Sequence, residues 1–126
     1  MHDCIFCNRH ELDLLTHSTL CFAVFDKNPV ANLHTLIVPH RHVLTPFELS
    51  PKELADMFAL AHECSLDIAT SDHTVEGFNF GANIGEVAGQ KIMHLHFHLI
   101  PRRSGDLAPP PAMPEEPSTK DSRTNN

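Results

Sequence analysis

The sequence predicts an α+β domain in which one long helix packs against a mainly antiparallel sheet. Three observations support this: two strand patterns early in the chain, one long helical pattern in the middle, and two strand patterns after it. The chain has 126 residues, of which 41% are hydrophobic and 20% charged. Such a length and composition are typical of a single globular domain.

The first two predicted strands are residues 20–26 and 34–39. Both are apolar runs rich in β-branched or aromatic residues, and Asn28-Pro29 breaks the chain between them. Because the connection is short, we expect the two strands to pair antiparallel.

A helix is predicted over residues 51–70. Ser50 can cap it, Pro51 suits its first turn, and Glu53 completes a capping box. Apolar residues then recur at helical spacing, and they are Leu54, Met57, Phe58, Ala61, Cys64 and Ile68.

Two further strands are predicted at residues 77–83 and 94–100, joined by a loop at 84–92 that contains Gly85 and Gly89. From Ser104 onward the chain is rich in proline, serine and threonine, which disfavours a packed core. We therefore predict a domain over residues 1–103 and a mobile tail over 104–126.

Composition disfavours several partners. The formal net charge of −7 argues against nucleic acid, and no apolar run approaches the roughly 20 residues that span a bilayer. The N-terminus lacks the pattern of a secretory signal, so we expect a cytoplasmic protein. The eleven histidines point instead to phosphate or metal chemistry.

The strongest motif is the alternation of His94, His96 and His98. If this segment is a strand, the three imidazoles share one face. Unrelated surface histidines rarely alternate so regularly, whereas a catalytic zinc platform is an open alternative. The other face of the strand would be apolar, formed by Leu95, Phe97 and Leu99.

This segment resembles the motif of the histidine triad (HIT) family, His-φ-His-φ-His-φ-φ, where φ is apolar. The resemblance runs from Cys4 to about Arg103 and includes residues 22–26, 34–39 and the Gly89-Gln90 pair. It implies a HIT-like fold, with a five-stranded antiparallel sheet, one long helix and a short N-terminal element. It also implies a homodimer that binds a small nucleotide without an organic cofactor.

By the same resemblance, the enzyme cleaves at the α-phosphate of a diadenosine polyphosphate or nucleoside phosphoramidate through a phosphohistidine. His96 would be the nucleophile, and neutral imidazole suits attack on phosphorus near pH 7. His98 would contact the phosphate and leaving-group oxygens, and His94 would help to stabilise charge. His34 would be the family's fourth histidine, supporting the hydrogen bonds of the triad.

The resemblance also assigns nucleotide-binding residues. Asp26 would bind the ribose hydroxyls and Asn83 would lie near the phosphate, while Gly89 and Gln90 would help to bind the charged oxygens. Lys91 departs from the Ser or Thr that many relatives carry after the Gly-Gln pair. The preferred leaving group is therefore left open.

A second site begins at Cys4-x-x-Cys7, which has the spacing of half a zinc knuckle. Bacterial HIT proteins with such a pair complete a structural zinc site with two histidines, which correspond to His42 and His94. His40 is a weaker alternative to His42, and the other possibility is a reduced, metal-free pair.

Two other functions compete with a HIT nucleotidyl hydrolase or transferase. One is a metal-dependent hydrolase in which His94, His96 and His98 all bind zinc. The other is a nucleotide-binding regulatory module with little turnover.

Overall fold

The computed structural model describes residues 4–107, which form a five-stranded sheet with one long helix. The strands are β1 (Thr16–His17), β2 (Cys21–Phe25), β3 (Thr35–Pro39), β4 (Val75–Gly81) and β5 (Phe97–Arg103), and the helix α1 spans Pro51–Ser71. Neighbouring strands pair antiparallel in the order β1-β2-β3-β5-β4. The predicted α+β class and the antiparallel pairing of the first two long strands are confirmed. Short 3₁₀ turns lie at Arg9–Glu11, Pro46–Glu48 and Glu86–Ala88.

The start of α1 is fixed by the predicted capping box. The Ser50 hydroxyl accepts from the Glu53 amide at 3.1 Å, and the Glu53 carboxylate accepts from the Ser50 amide at 2.8 Å. Arg41, just after β3, donates two further hydrogen bonds to Glu53, at 3.0 and 2.8 Å. The helix is thereby attached to the loop that follows β3.

The central strands β2 and β3 are buried on both faces, except for Phe25 at the end of β2. One face packs against α1, and the opposite face is covered by the N-terminal segment through Phe6. Strands buried on both faces read as continuous apolar runs, which is why residues 20–26 and 34–39 show little alternation. The core against α1 includes Cys21, Ala23, Ile37, Met57, Leu60, Cys64, Ile68, Leu95, Phe97 and Leu99. The opposite core consists of Phe6, Phe22, Val24, Leu36 and Val38.

Two predicted strands need correction, and one strand was not predicted. β1 was not predicted, because a strand of two residues is too short to show a periodic pattern. β4 ends at Gly81 rather than at residue 83. β5 begins at Phe97 rather than at His94, since the Leu95 amide donates to the carbonyl of Val43 at 2.7 Å, outside the sheet ladder.

The predicted tail lies largely outside the described residues, so the boundary at residue 103 stays a prediction. Between Cys4 and Leu107, no helix has both the length and the apolarity needed to cross a bilayer.

Candidate active site and cysteine–histidine cluster

The ring of His96 is oriented by the main chain just before β5. Its Nδ1 donates to the carbonyl oxygen of His94 at 2.8 Å. The proton is therefore assigned to Nδ1, and Nε2 keeps its lone pair. Phe6 packs against the ring with 5.4 Å between centroids, and only 9% of His96 is exposed. His96 thus has the tautomer and the fixed orientation that a nucleophile requires.

A chain of hydrogen bonds fixes the tautomer of His98. The Val30 amide donates to Nδ1 of His34 at 3.2 Å, so His34 carries its proton on Nε2. That Nε2 donates to Nδ1 of His98 at 2.9 Å, which leaves the proton of His98 on its own Nε2. The rings of His98 and His96 lie 5.1 Å apart. These hydrogen bonds therefore place an N–H donor, Nε2 of His98, beside the ring of His96.

Burial keeps the two rings of this chain neutral. It lowers the pKa of His34, an effect that Asp26 opposes and the charge of Arg102 reinforces. It also lowers the pKa of His98, with further lowering by the neighbouring imidazoles. The neutral tautomers described above are consequently favoured at pH 7.

Asp26 borders a cavity of about 390 Å³ on the face of the sheet that the N-terminal segment covers. Its Oδ1 accepts from the Asn28 amide at 2.9 Å, and its Oδ2 lies 3.5 Å from Nε2 of His34. The carboxylate therefore adjoins both the cavity and the histidine chain. The apolar lining of the cavity includes Ile5, Phe6, Leu12, Val24, Leu36 and Ile92.

The glycine-containing loop before the triad is held by its own side chains. Gln90 accepts from the Gly85 amide at 2.8 Å and donates to the carbonyls of Leu44 and Ile92, at 3.2 Å each. Its side-chain amide is thus engaged in shaping the loop, and its contact with a nucleotide stays a prediction.

Gly89 has φ +100°, a left-handed conformation that disfavours any side chain. The amide nitrogen of Asn83 lies 3.4 Å from the Gly89 carbonyl, so these two predicted residues are neighbours. Lys91 is exposed.

Cys4, Cys7, His42 and His94 converge, with one ligand atom from each lying within 4.8 Å of all the others. Nδ1 of His94 is 3.3 Å from Sγ of Cys4, and Nδ1 of His42 is 3.0 Å from Sγ of Cys7. A tetrahedral zinc ion would separate such ligands by roughly 3.3–3.8 Å. His94 also donates from Nε2 to the Pro39 carbonyl at 2.9 Å, which leaves Nδ1 as an acceptor. The donor set and its spacing fit zinc.

His40 lies outside this cluster. Its ring stacks on Phe22, with 5.5 Å between centroids and 18° between planes. Of the two histidines considered from the sequence, the structure brings His42 to the cysteines.

The structure disfavours a metal site shared by the three triad histidines, because both ring nitrogens of His94 face other groups. Asp26, His34 and His98 form a second group whose ligand atoms lie close enough together to hold a metal ion. However, Nδ1 of His34 accepts from Val30, so a metal at Nε2 would require both ring nitrogens to be unprotonated. This group is better suited to hydrogen bonding.

Comparison with known proteins identifies the family. The HIT domain family model matches residues 9–105. The chain belongs to the HIT family. The adenylylsulfatase HINT3 of Arabidopsis thaliana is 35% identical over 109 residues, which are 83% of this chain but only 55% of that protein. The chain therefore spans about half the length of this relative.

Two other HIT proteins are matched over more of their length. The adenosine 5'-monophosphoramidase hnt1 of Schizosaccharomyces pombe is 32% identical over 79% of this chain and 74% of its own. The crystal structure of a Zn-bound histidine triad family protein from Mycobacterium smegmatis matches with a TM-score of 0.74. It has 27% identity and covers 82% of this chain and 78% of its own. The chain thus has a HIT fold, in a family that includes nucleotide hydrolases.

Sequence reasoning missed several groups at the site. The acceptor for His96 is the carbonyl of His94, and the donor to His34 is the amide of Val30. Both are backbone groups, which every residue type supplies, so the sequence does not reveal them. Phe6 was visible only as a spacer between the two cysteines. Its contacts with His94 and His96 join residues about 90 positions apart.

Proposed function

We propose that this HIT protein hydrolyses nucleotides at the α-phosphorus, with Nε2 of His96 as the nucleophile. The observation that carries the proposal is the 2.8 Å hydrogen bond from Nδ1 of His96 to the His94 carbonyl. It fixes the tautomer in which Nε2 has a lone pair, and it holds the ring 5.1 Å from His98.

The reaction has two steps. Nε2 of His96 attacks the α-phosphorus, a P–N bond forms, and the bond to the leaving group breaks with its electron pair departing on that group, which takes up a proton from solvent when it leaves as an amine. Nε2–H of His98 donates a hydrogen bond to a phosphate oxygen as charge develops there. A water molecule then attacks phosphorus, the P–N bond breaks, and the water proton passes to solvent. The products are a nucleoside monophosphate and the free leaving group, and His96 regains its lone pair.

The cavity beside Asp26 supports a nucleoside subsite. Its volume of about 390 Å³ and its apolar walls suit a heterocyclic base, and the Asp26 carboxylate can accept hydrogen bonds from ribose hydroxyls. The names of the Arabidopsis and Schizosaccharomyces relatives support an adenosine nucleotide as substrate. Candidates are a diadenosine polyphosphate and an adenosine phosphoramidate. Asn83 and the Gly89-Gln90 loop would adjoin the phosphates.

We infer that Cys4, Cys7, His42 and His94 hold a structural zinc ion. Four protein ligands fill a tetrahedral shell and leave no position for a reacting water. The ion would attach the N-terminal segment, which includes Phe6, to the segment that carries His96. The Zn-bound relative from Mycobacterium smegmatis supports this inference.

We also propose a homodimer in the cytoplasm. β4 is a terminal strand of the sheet, and Phe80 on it packs with Phe58 of α1 at 5.5 Å between centroids. Their exposures of 39% and 51% leave an aromatic surface that a second copy would cover. Sedimentation should then show a dimer that dissociates when Phe58 is replaced by aspartate.

The test of the reaction compares wild type with His96→Ala, and uses His62→Ala as a matched control. His62 is exposed on α1, on the other side of the sheet. The substrates are diadenosine tetraphosphate and adenosine phosphoramidate labelled at the α-phosphorus, with and without chelator. Wild-type protein denatured at alkaline pH should carry the label. Wild type and His62→Ala should both release nucleoside monophosphate, and His96→Ala should not.

Turnover by His96→Ala would rule out the nucleophile. Loss of turnover on chelation, with the fold intact, would favour the metal-dependent hydrolase. Nucleotide binding by wild type without any release would favour the regulatory module.

A further inference from the structure

Arg102 lies on the same face of β5 as His98. Alternate residues of a strand share a face, and the intervening Leu99 and Pro101 are buried on the opposite one. On the adjacent β4, Asn79 pairs with Ile100. Nε of Arg102 donates to Oδ1 of Asn79 at 2.7 Å, which directs the guanidinium back toward the level of that pair.

The charge of Arg102 has no acidic partner in the described part of the chain. In that part of the chain, two arginines lie within 4.0 Å of a carboxylate: Arg41 pairs with Glu53, and Arg103 pairs with Asp72. Arg102 is nevertheless half-buried, and its positive charge reaches His34, whose pKa it helps to lower. A positioned, unpaired guanidinium is suited to an anion from outside the chain.

An open cavity lies between the histidine chain and Asn79. It has a volume of about 450 Å³, and its lining includes His98 and Asn79, the residue that holds Arg102. Gly81 contributes no side chain to the lining, and a Cβ at this position would meet nothing within 4 Å. Asn83 and His34 complete its polar lining. The cavity thus extends from His98 to Asn79, whose side chain accepts the hydrogen bond from Arg102.

We propose that Arg102 and Asn79 form an anion subsite for the distal phosphates of the leaving group. The subsite rests on the proposed function, because attack by His96 at the α-phosphorus directs the leaving group past His98. The guanidinium lies near the level of the Asn79–Ile100 pair, two residues or roughly 7 Å along the strand from His98, so a group that ends beside the α-phosphorus does not reach it. Sulfate and a simple amine are such groups. The site therefore favours nucleotides with a chain of phosphates.

The test measures binding by calorimetry in the His96→Ala background, which removes turnover. The ligands are AMP and ATP, which differ by two phosphates, at fixed ionic strength and without added magnesium. We expect ATP to bind about tenfold more tightly than AMP, the gain from one charge-assisted contact. Adding Arg102→Gln should remove this gain. The dissociation constant of AMP should stay unchanged, which would also show that the variant is folded.

Lys52→Gln is the matched control, since it removes the same charge from an exposed position on α1. It should keep the gain, and Asn79→Ala should reduce it by releasing the guanidinium. An equal preference for ATP in the Arg102→Gln and Lys52→Gln proteins would overturn the subsite while the proposed function stands. Failure of the His96→Ala protein to bind either nucleotide would overturn the proposed function and the subsite with it.

Discussion

Replacing Glu53 with glutamine tests how strongly α1 is attached to the loop that carries His42. The hydrogen bonds from Arg41 and the backbone of Ser50 lower the pKa of Glu53 from 4.5 to about 2. Such a change corresponds to at most about 3 kcal/mol of folding free energy at pH 7. Water screens the pair, because the Arg41 side chain is 54% exposed. We therefore expect Glu53→Gln to cost about 1–2 kcal/mol, or about 4–8 °C in Tm.

The effect should depend on pH in a defined direction. A carboxyl whose pKa is lower in the folded state stabilises the fold above the unfolded value of about 4.5, and this contribution is lost as pH falls toward 2. Urea denaturation at pH 7 and pH 3 should show the difference between wild type and Glu53→Gln reduced by roughly half at pH 3. Glu63→Gln, which removes an exposed carboxylate from the same helix, should change stability by less than about 0.5 kcal/mol. Equal losses for the two variants at pH 7, or a loss that does not shrink in acid, would refute the reasoning.

Three further predictions concern the site. Cys7→Ser should lower the zinc content measured by mass spectrometry well below one ion per chain, whereas His40→Gln should leave it unchanged; zinc retained in Cys7→Ser would contradict the ligand set. Asp26→Asn should raise KM for nucleotides about tenfold with little change in kcat, and the reverse pattern in steady-state kinetics would argue against ribose binding. Titration by NMR should give the rings of His34 and His98 pKa values below 6.5. The folded state should then lose stability as pH falls below 6.5, because the unfolded chain takes up protons first. Values above 7 would contradict the burial of these rings.

The parts of the fold that depend on local sequence were predicted well. The capping box at Ser50 and Glu53 is a contact across three residues, so the start of α1 was visible in the sequence. The apolar face of residues 95–99 was also correctly predicted. The start of β5 was wrong by three residues, because it depends on the bond between Leu95 and Val43, which are far apart in the chain.

The candidate site was predictable as a set of residues but less so as a geometry. The histidine motif indicated which side chains form the site, and the structure places His98 in contact with both His96 and His34. The motif alone does not indicate that the His94 ring turns toward the cysteines, since that depends on where the N-terminal segment packs; only the family resemblance predicted His94 as a partner of Cys4 and Cys7. Arg102 was not singled out, because only the pairing of β4 with β5 brings it to Asn79.

His94 contributes to two neighbouring sites through different atoms. Its imidazole faces the cysteines, whereas its carbonyl oxygen holds the His96 ring. Every encoded amino acid supplies the same carbonyl, so alanine scanning at position 94 samples only the imidazole. A loss of activity in such a variant would report on the metal cluster and on local packing, and would say nothing of the acceptor. Access to that acceptor requires chemical editing of the peptide bond, for example an amide-to-ester exchange by protein semisynthesis.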